Sequence, residues 1–307
     1  MPLDPQLAAW FDRLNREFGP LPDLAPATRR KRYEDITTLL PVPAAPGVTV
    51  RDFDLPLAGR TLEARLYHPG GTPALMAFYH GGGWVVGSLN THHGMCMKLA
   101  AQSGVAIVSI DYRMAPEHPY PAPCDDAYDA LVWLAEHARE LGCDPRKLAV
   151  GGDSAGAHLS TVTALTVRER GGPSLAYQLL IYPVVEADVT RPSRIEFANG
   201  PGLTSADMEW FWGRFIGTGA DRLDYRASPA LAASLTGLPA AYVLVAELDP
   251  LRDEGEHYGA RLAEAGVAAK VVRALGMTHG FARLPPVCDA AGRYMDAAAA
   301  ALKEALA

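Results

Sequence analysis

The chain has 307 residues, 49% of them hydrophobic and 21% charged, an ordinary composition for a globular α/β protein. A formal net charge of -7 gives no electrostatic reason to expect nucleic acid as a partner, and no apolar run approaches membrane-spanning length. Cys96, Cys124, Cys143 and Cys288 lie far apart, with no C-x-x-C pair and no metal-ligand spacing. They read as reduced, buried thiols, and with an N-terminus that lacks a basic stretch followed by an apolar core they point to a cytoplasmic protein.

Residues 1–45 differ in pattern from the rest of the chain. Leu7, Ala8, Ala9, Trp10, Phe11 and Phe18 have helical spacing. Pro20, Pro22 and Pro26 then interrupt the chain, and a polar stretch over 28–40 forms a second helix ended by Pro41, Pro43 and Pro46. This reads as an arm laid on the main domain. From Val48 the pattern turns to strands: 48–57 and 61–67 pair as a hairpin about Ala58-Gly59-Arg60, and 74–79 is a short apolar run of the kind buried on both faces of a sheet. Further strands are expected over 105–110, 147–150, 175–182, 240–246 and 268–275. Helices are expected over 123–141, 155–170, 252–265 and 289–307. The alternation of strand and helix predicts a mostly parallel, twisted sheet with helices on both faces. It is broken by residues 186–234, which carry no clear strand but place Trp210, Phe211, Trp212 and Phe215 on a helix starting after Thr204-Ser205. A loop-rich, aromatic insertion between core strands suits a lid over an apolar pocket. The chain therefore divides into an N-terminal cap segment (1–45), a core (46–185 and 235–307) and a cap insertion (186–234).

Working groups of such sheets collect at the carboxyl ends of the strands, and four features fall there. The first is Gly152-Asp153-Ser154-Ala155-Gly156, a G-x-S-x-G pattern that sets Ser154 on a sharp strand-to-helix turn. A serine hydroxyl needs a base, and the base an orienting acid. His158, His257 and His279 come after Ser154 in the chain. His158 is too close in the elbow helix to swing back over the serine, His257 sits mid-helix among charges, and His279 lies after a strand in Gly276-Met277-Thr278-His279-Gly280-Phe281, which makes it the best base. For the acid, Asp249 ends a strand and also suits a helix N-cap, with Asp253 second and Glu247 third. The run His80-Gly81-Gly82-Gly83-Trp84 brings the backbone N–H groups of Gly82 and Gly83 close to a substrate, with Ala155 N–H as a third oxyanion donor. His80 reads as structural. In Asp111-Tyr112-Arg113-Met114-Ala115-Pro116-Glu117-His118-Pro119, Arg113 and Glu117 are expected to join Asp153 in a buried charge network under the elbow. Met95 and Met97 read as core filler. Trp84, Trp210, Phe211, Phe215 and Phe281 are expected to wall the substrate pocket.

In order and spacing these motifs resemble the hormone-sensitive-lipase-like group of the α/β-hydrolases, the bacterial arylesterases and carboxylesterases. Asp249-Pro250-Leu251-Arg252-Asp253-Glu254 and His279-Gly280-Phe281 complete the match, which spans residues 80–281. Met114 stands where the family more often has Leu, and Met277-Thr278 precede the histidine where the pattern varies. Neither departure touches the mechanism. The resemblance implies an α/β-hydrolase fold with a helical cap, Ser154 as nucleophile, His279 as base, Asp249 as acid, and Gly82, Gly83 and Ala155 as the oxyanion hole. It implies hydrolysis of short to medium acyl esters through an acyl-enzyme, with no cofactor and no metal. It leaves open a homodimer through an edge strand. Hydrolysis of amides, formamides or lactones by the same triad is the alternative reading. A non-catalytic binding module on the same scaffold is another, though the non-catalytic branch has lost part of the triad and this chain keeps all three members.

Overall fold

A computed structural model of the chain describes residues 1–19, 25–42, 44–187 and 189–307. Pro20, Pro22 and Pro43 lie outside the described residues. In order, the elements are α1 (Pro5–Phe18), α2 (Pro26–Thr37), β1 (Thr49–Leu57), β2 (Arg60–His68), β3 (Leu75–Tyr79), α3 (His93–Ser103), β4 (Ala106–Asp111), α4 (Ala122–His137), β5 (Leu148–Asp153), α5 (Ala155–Arg170), β6 (Tyr177–Ile181), α6 (Pro192–Glu196), α7 (Ser205–Ile216), β7 (Ala240–Leu248), α8 (Arg252–Glu264), β8 (Ala269–Thr278) and α9 (Asp289–Leu306).

The eight strands form one sheet in the order β1-β2-β4-β3-β5-β6-β7-β8. The β1–β2 hairpin is antiparallel, as is its join to β4, and every other pair is parallel. The register shows why β3 has to be apolar throughout. Leu75, Ala77 and Tyr79 point into the core formed with α4, α5 and α8, while Met76 and Phe78 point into a second core with α3 and α9 on the opposite face. β5 and β6, the other central strands, are buried along their whole length for the same reason. β1, at the edge, buries only Leu55 fully.

Helix α3 is absent from the sequence reading. Its apolar signal is weak: Gly94, Lys98 and Gln102 interrupt it, and only Met95, Cys96, Leu99 and Ala100 supply a buried stripe. Packing on the sheet and against α9 makes it a helix, and Gly104, at φ 70°, ends it with its N–H on Ala100 O. Met95 is buried and Met97 half-buried against the same core. In α9 the alanines are structural: Ala291, Met295, Ala298, Ala299 and Leu302 form the buried face. All four cysteines are free and buried. Among the described residues no helix is long and apolar enough to cross a membrane.

Residues 186–234 hold no strand among those described, only α6, α7 and a short 3-10 turn. Thr204 caps α7 reciprocally with Asp207, a capping box that fixes where the aromatic helix starts.

Candidate active site

Two strands run further than their apolar patterns suggest, and both extensions matter. β5 continues through Gly151, Gly152 and Asp153, so the turn falls on Ser154 itself, at φ 54° and ψ -118°. A non-glycine residue with positive φ is uncommon and marks an over-determined turn. The glycine at 156 is required here, because a methyl on it would fall inside the backbone carbonyl of Tyr79 on the neighbouring strand. Ser154 N–H donates to Ile181 O at 2.8 Å, and its carbonyl receives His158 N–H at 3.0 Å. The hydroxyl thus stands at the N-terminus of α5, where unpaired N–H groups favour developing negative charge.

β8 continues to Thr278, which delivers His279 to the same end of the sheet, with β6 and β7 between it and β5. His279 Nε2 lies 2.9 Å from Ser154 Oγ, and its Nδ1 lies 2.7 Å from Asp249 Oδ2. Asp249 is fully buried and its other oxygen accepts Leu251 N–H at 2.8 Å, which closes the turn before α8; the N-cap of that helix is Leu251, not Asp249. With the carboxylate accepting the Nδ1 proton, Nε2 is left as the acceptor for the serine hydroxyl. The two other acids are engaged elsewhere. Asp253 accepts from Ser193 N–H and pairs with Arg252, while Glu247 accepts from Gly276 N–H and from the chain's N-terminal amine. His257 is exposed on α8.

The glycine loop sits across from the serine. Gly82 and Gly83 adopt φ 122° and 58°, and their N–H groups donate to no acceptor among the described residues. Ala155 N–H is in the first turn of α5 and is likewise without an intrahelical partner. The loop is held from below. Asp153 Oδ1 accepts Gly81 N–H at 2.9 Å and lies 3.2 Å from His92 Nε2. Burial alone would raise the Asp153 carboxyl, but His92, the Gly81 N–H and Arg283 together bring it below the usual carboxylate range. His80 is buried and structural: its ring stacks on Tyr112, Nδ1 meets Gly81 O at 2.9 Å, and its carbonyl accepts the Tyr112 hydroxyl at 2.8 Å.

The expected Arg113–Glu117–Asp153 network does not form. Arg113 pairs with buried Asp126, Glu117 is exposed and pairs with Arg30, and Asp153 is bound as above. Arg113 leaves β4 toward α4, and Glu117 is carried outward by the following loop, so only Asp153 lies under the elbow. His92, which sequence reasoning passed over, takes the place assigned to Arg113. As one histidine in the polar run Asn90-Thr91-His92-His93, ahead of a helix whose apolar stripe is weak, it carries no local signal.

A cavity of ≈ 250 Å³ opens onto Ser154, Gly82, Gly83 and His279. Its walls come from α1 (Trp10, Phe11, Leu14), α2 (Tyr33, Ile36) and α7 (Met208, Phe211). Of the five aromatics expected to wall it, Phe211 does so, with its ring against Gly83. Trp84, Phe215 and Phe281 are fully buried and pack in the cores. Trp84 stacks on Phe215 at 4.0 Å and donates to His158 Nδ1 at 3.1 Å, while Phe281 meets Tyr182 edge-on at 5.6 Å. Trp210 is about 100° around α7 from Phe211. It lines the neighbouring cleft, with the Arg214 guanidinium 3.6 Å over its ring. The arm residues were missed because one face of a helix is as easily core as pocket. Trp10 and Leu14 do both here, and nothing local separates the two roles.

Buried neutral histidines give the site a pH signature in stability. Burial lowers both His80 and His158 from 6.5 to about 3. Between those values the unfolded chain binds a proton that the native state refuses, so stability is lost as pH falls through that window. The slope is at most about 1.4 kcal/mol per pH unit for each histidine. Burial raises Glu254 to about 7, a shift that works in the opposite direction. The readout is therefore a difference: urea unfolding of His158→Gln should lose stability less steeply than the unchanged chain between pH 6 and 4, and equal slopes would refute the assignment.

A family model for the alpha/beta hydrolase fold matches residues 76–283. The chain is 44% identical over 245 residues to the carboxylic ester hydrolase LipN of Mycobacterium tuberculosis, a match covering 77% of this chain and 65% of that one. It is 37% identical to the ethyl acetate hydrolase of Pseudomonas putida over the full length of both. The crystal structure of a thermostable esterase from Pseudomonas putida ECU1011 superposes with a TM-score of 0.95 at 35% identity, covering 100% of this chain and 98% of that one. The chain belongs to the hormone-sensitive-lipase-like family of the α/β-hydrolases, and within it is a serine carboxylesterase.

Proposed function

We propose that Ser154, His279 and Asp249 are its catalytic triad and that it hydrolyses carboxylic esters of short to medium acyl chains. The observation that carries this reading is the unbroken line from Asp249 Oδ2 through His279 to Ser154 Oγ at the floor of an apolar cavity. His279 Nε2 takes the hydroxyl proton as Oγ attacks the ester carbonyl, and Asp249 stabilises the resulting imidazolium. The oxyanion of the tetrahedral intermediate is held by Gly82, Gly83 and Ala155 N–H. His279 then protonates the leaving alcohol, and the acyl-enzyme is cleared by a water that the same imidazole activates.

Residues 1–45 and 186–234 act as the cap, through the described parts of α1, α2 and α7 that wall the cavity. A cavity of ≈ 250 Å³ beside Ser154 suits a compact acyl group. The reading places the enzyme in the cytoplasm, supported by four free buried thiols, and pairs two copies along β8, the sheet edge where Val271 and Leu275 are 39% and 44% exposed.

The test is a series of p-nitrophenyl esters from acetate to dodecanoate beside matched p-nitroanilides, with a fluorophosphonate label read by mass spectrometry. Ester turnover falling off at long chains, with one adduct on Ser154, is expected. Anilide turnover above that of the matched esters would make it an amide hydrolase, and an unlabelled Ser154 would make it a binding module.

A further inference from the structure

Helix α2 presents two working faces. Tyr33 and Ile36 look into the cavity, whereas Arg30, Glu34 and Thr37, one and two turns apart, each grip the core. Glu34 accepts the Ser88 hydroxyl, and Thr37 accepts from Arg283, four residues beyond His279 in the chain.

Arg30 makes the densest of these contacts. Its Nε donates to Val85 O at 2.7 Å, its Nη2 to Ala115 O at 2.8 Å, and its outer nitrogens clasp Glu117 at 2.9 and 2.6 Å. The two carbonyls belong to one closed structure. Val85 and Val86 N–H both turn back onto Gly82 O, at 3.1 and 2.9 Å, and Ala115 N–H donates to Trp84 O at 2.9 Å. The guanidinium therefore closes a ring that runs from Val85 through Trp84 to Ala115, and the Gly82–Gly83 turn is tied to that ring through Val85 N–H and the Gly83–Trp84 peptide. That turn has no side chains with which to hold itself, and both glycines sit at positive φ. Arg30 is itself absent from the cavity wall.

We propose that Arg30 is a positioning residue for the oxyanion hole, so that the seating of α2 governs how well the transition state is bound. This rests on the reading that the Gly82 and Gly83 amides receive the oxyanion. A carbonyl bridge of this kind is lost when the guanidinium is removed, and a loop displaced by a fraction of an ångström loses donor alignment that matters only once charge has developed.

The experiment uses the full chain and p-nitrophenyl acetate, butyrate and octanoate, with a trifluoromethyl ketone as transition-state mimic. Arg30→Ala should lower kcat by about ten- to a hundredfold on all three esters, leave KM nearly unchanged, and weaken the ketone by the same factor. Arg30→Lys reaches one carbonyl and should fall between, and it carries the test if the alanine variant does not fold. Glu117→Gln keeps both carbonyl contacts and should retain kcat. An unaltered kcat in both Arg30 variants, a loss confined to KM, a loss that grows with acyl chain, or a loss in Glu117→Gln equal to that of Arg30→Ala would each overturn the proposal. Absence of ester turnover by the unsubstituted chain would refute the function reading instead.

Discussion

Ser154→Ala is expected to abolish ester turnover while leaving the fold intact. The oxygen removed takes part in one side-chain contact, the 2.9 Å hydrogen bond to His279 Nε2, whereas everything that shapes the elbow is backbone or glycine. Ser154 N–H still reaches Ile181 O, and the strained φ is the same for alanine as for serine. Without Oγ no acyl-enzyme forms, and the remaining donors can only polarise a bound ester for attack by free water. Such remnants of a triad enzyme retain catalysis of the order of 10³–10⁴ over water, which is several orders below a working triad. Initial rates on p-nitrophenyl butyrate, with thermal unfolding measured on the same sample, check this. Turnover within about a hundredfold of the unsubstituted chain, at an unchanged melting temperature, would remove Ser154 from the mechanism.

Asp249→Asn should lower kcat by about 10⁴ with little change in KM. The side chain is fully buried, and its two oxygens serve His279 Nδ1 and Leu251 N–H separately. An asparagine oxygen can keep the Leu251 bond, so the turn into α8 survives. Its amide then faces Nδ1 as a donor, which forces the imidazole to place its proton on Nε2, where it can no longer receive the serine proton. It also leaves the imidazolium without a counter-charge in a desolvated site. Asp253→Asn is the paired measurement. Its carboxylate is spent on Arg252 and Ser193 N–H, away from His279, so kcat should stay near that of the unsubstituted chain. If Asp253→Asn carried the larger loss, the acid would have been misassigned.

Both substitutions concern residues whose chemistry is written in local sequence pattern. A strand, a sharp turn and a helix are short-range events, and Gly152-Asp153-Ser154-Ala155-Gly156 specifies them through glycines that neighbouring backbone requires. Local pattern ranks Asp249 ahead of Asp253 and Glu247 at the end of β7 but does not exclude the other two, because that depends on what each carboxylate meets across space. Asp253 finds Ser193 and Glu247 finds Gly276, contacts 60 and 29 residues away in the chain. The aromatic residues show the same boundary from the other side. Composition marked Trp84, Phe215 and Phe281 as large apolar groups near the site, but burial of a ring against another ring or against a substrate looks alike in one dimension.

From the amino-acid order alone came the α/β alternation, the elbow at Ser154, the glycine loop at 80–84 and the candidates Asp249 and His279, since each depends on backbone freedom, period or turn chemistry within a few neighbours. Only the folded chain decided that Asp249 and not Asp253 meets the imidazole, that α1 and α2 wall the cavity, that His92 and not Arg113 backs Asp153, and that Arg30 reaches the carbonyls beside the glycines. Those are contacts between segments tens to hundreds of residues apart. Their free energy is set by complementary shapes and charges that exist only after the sheet has brought its strand ends together.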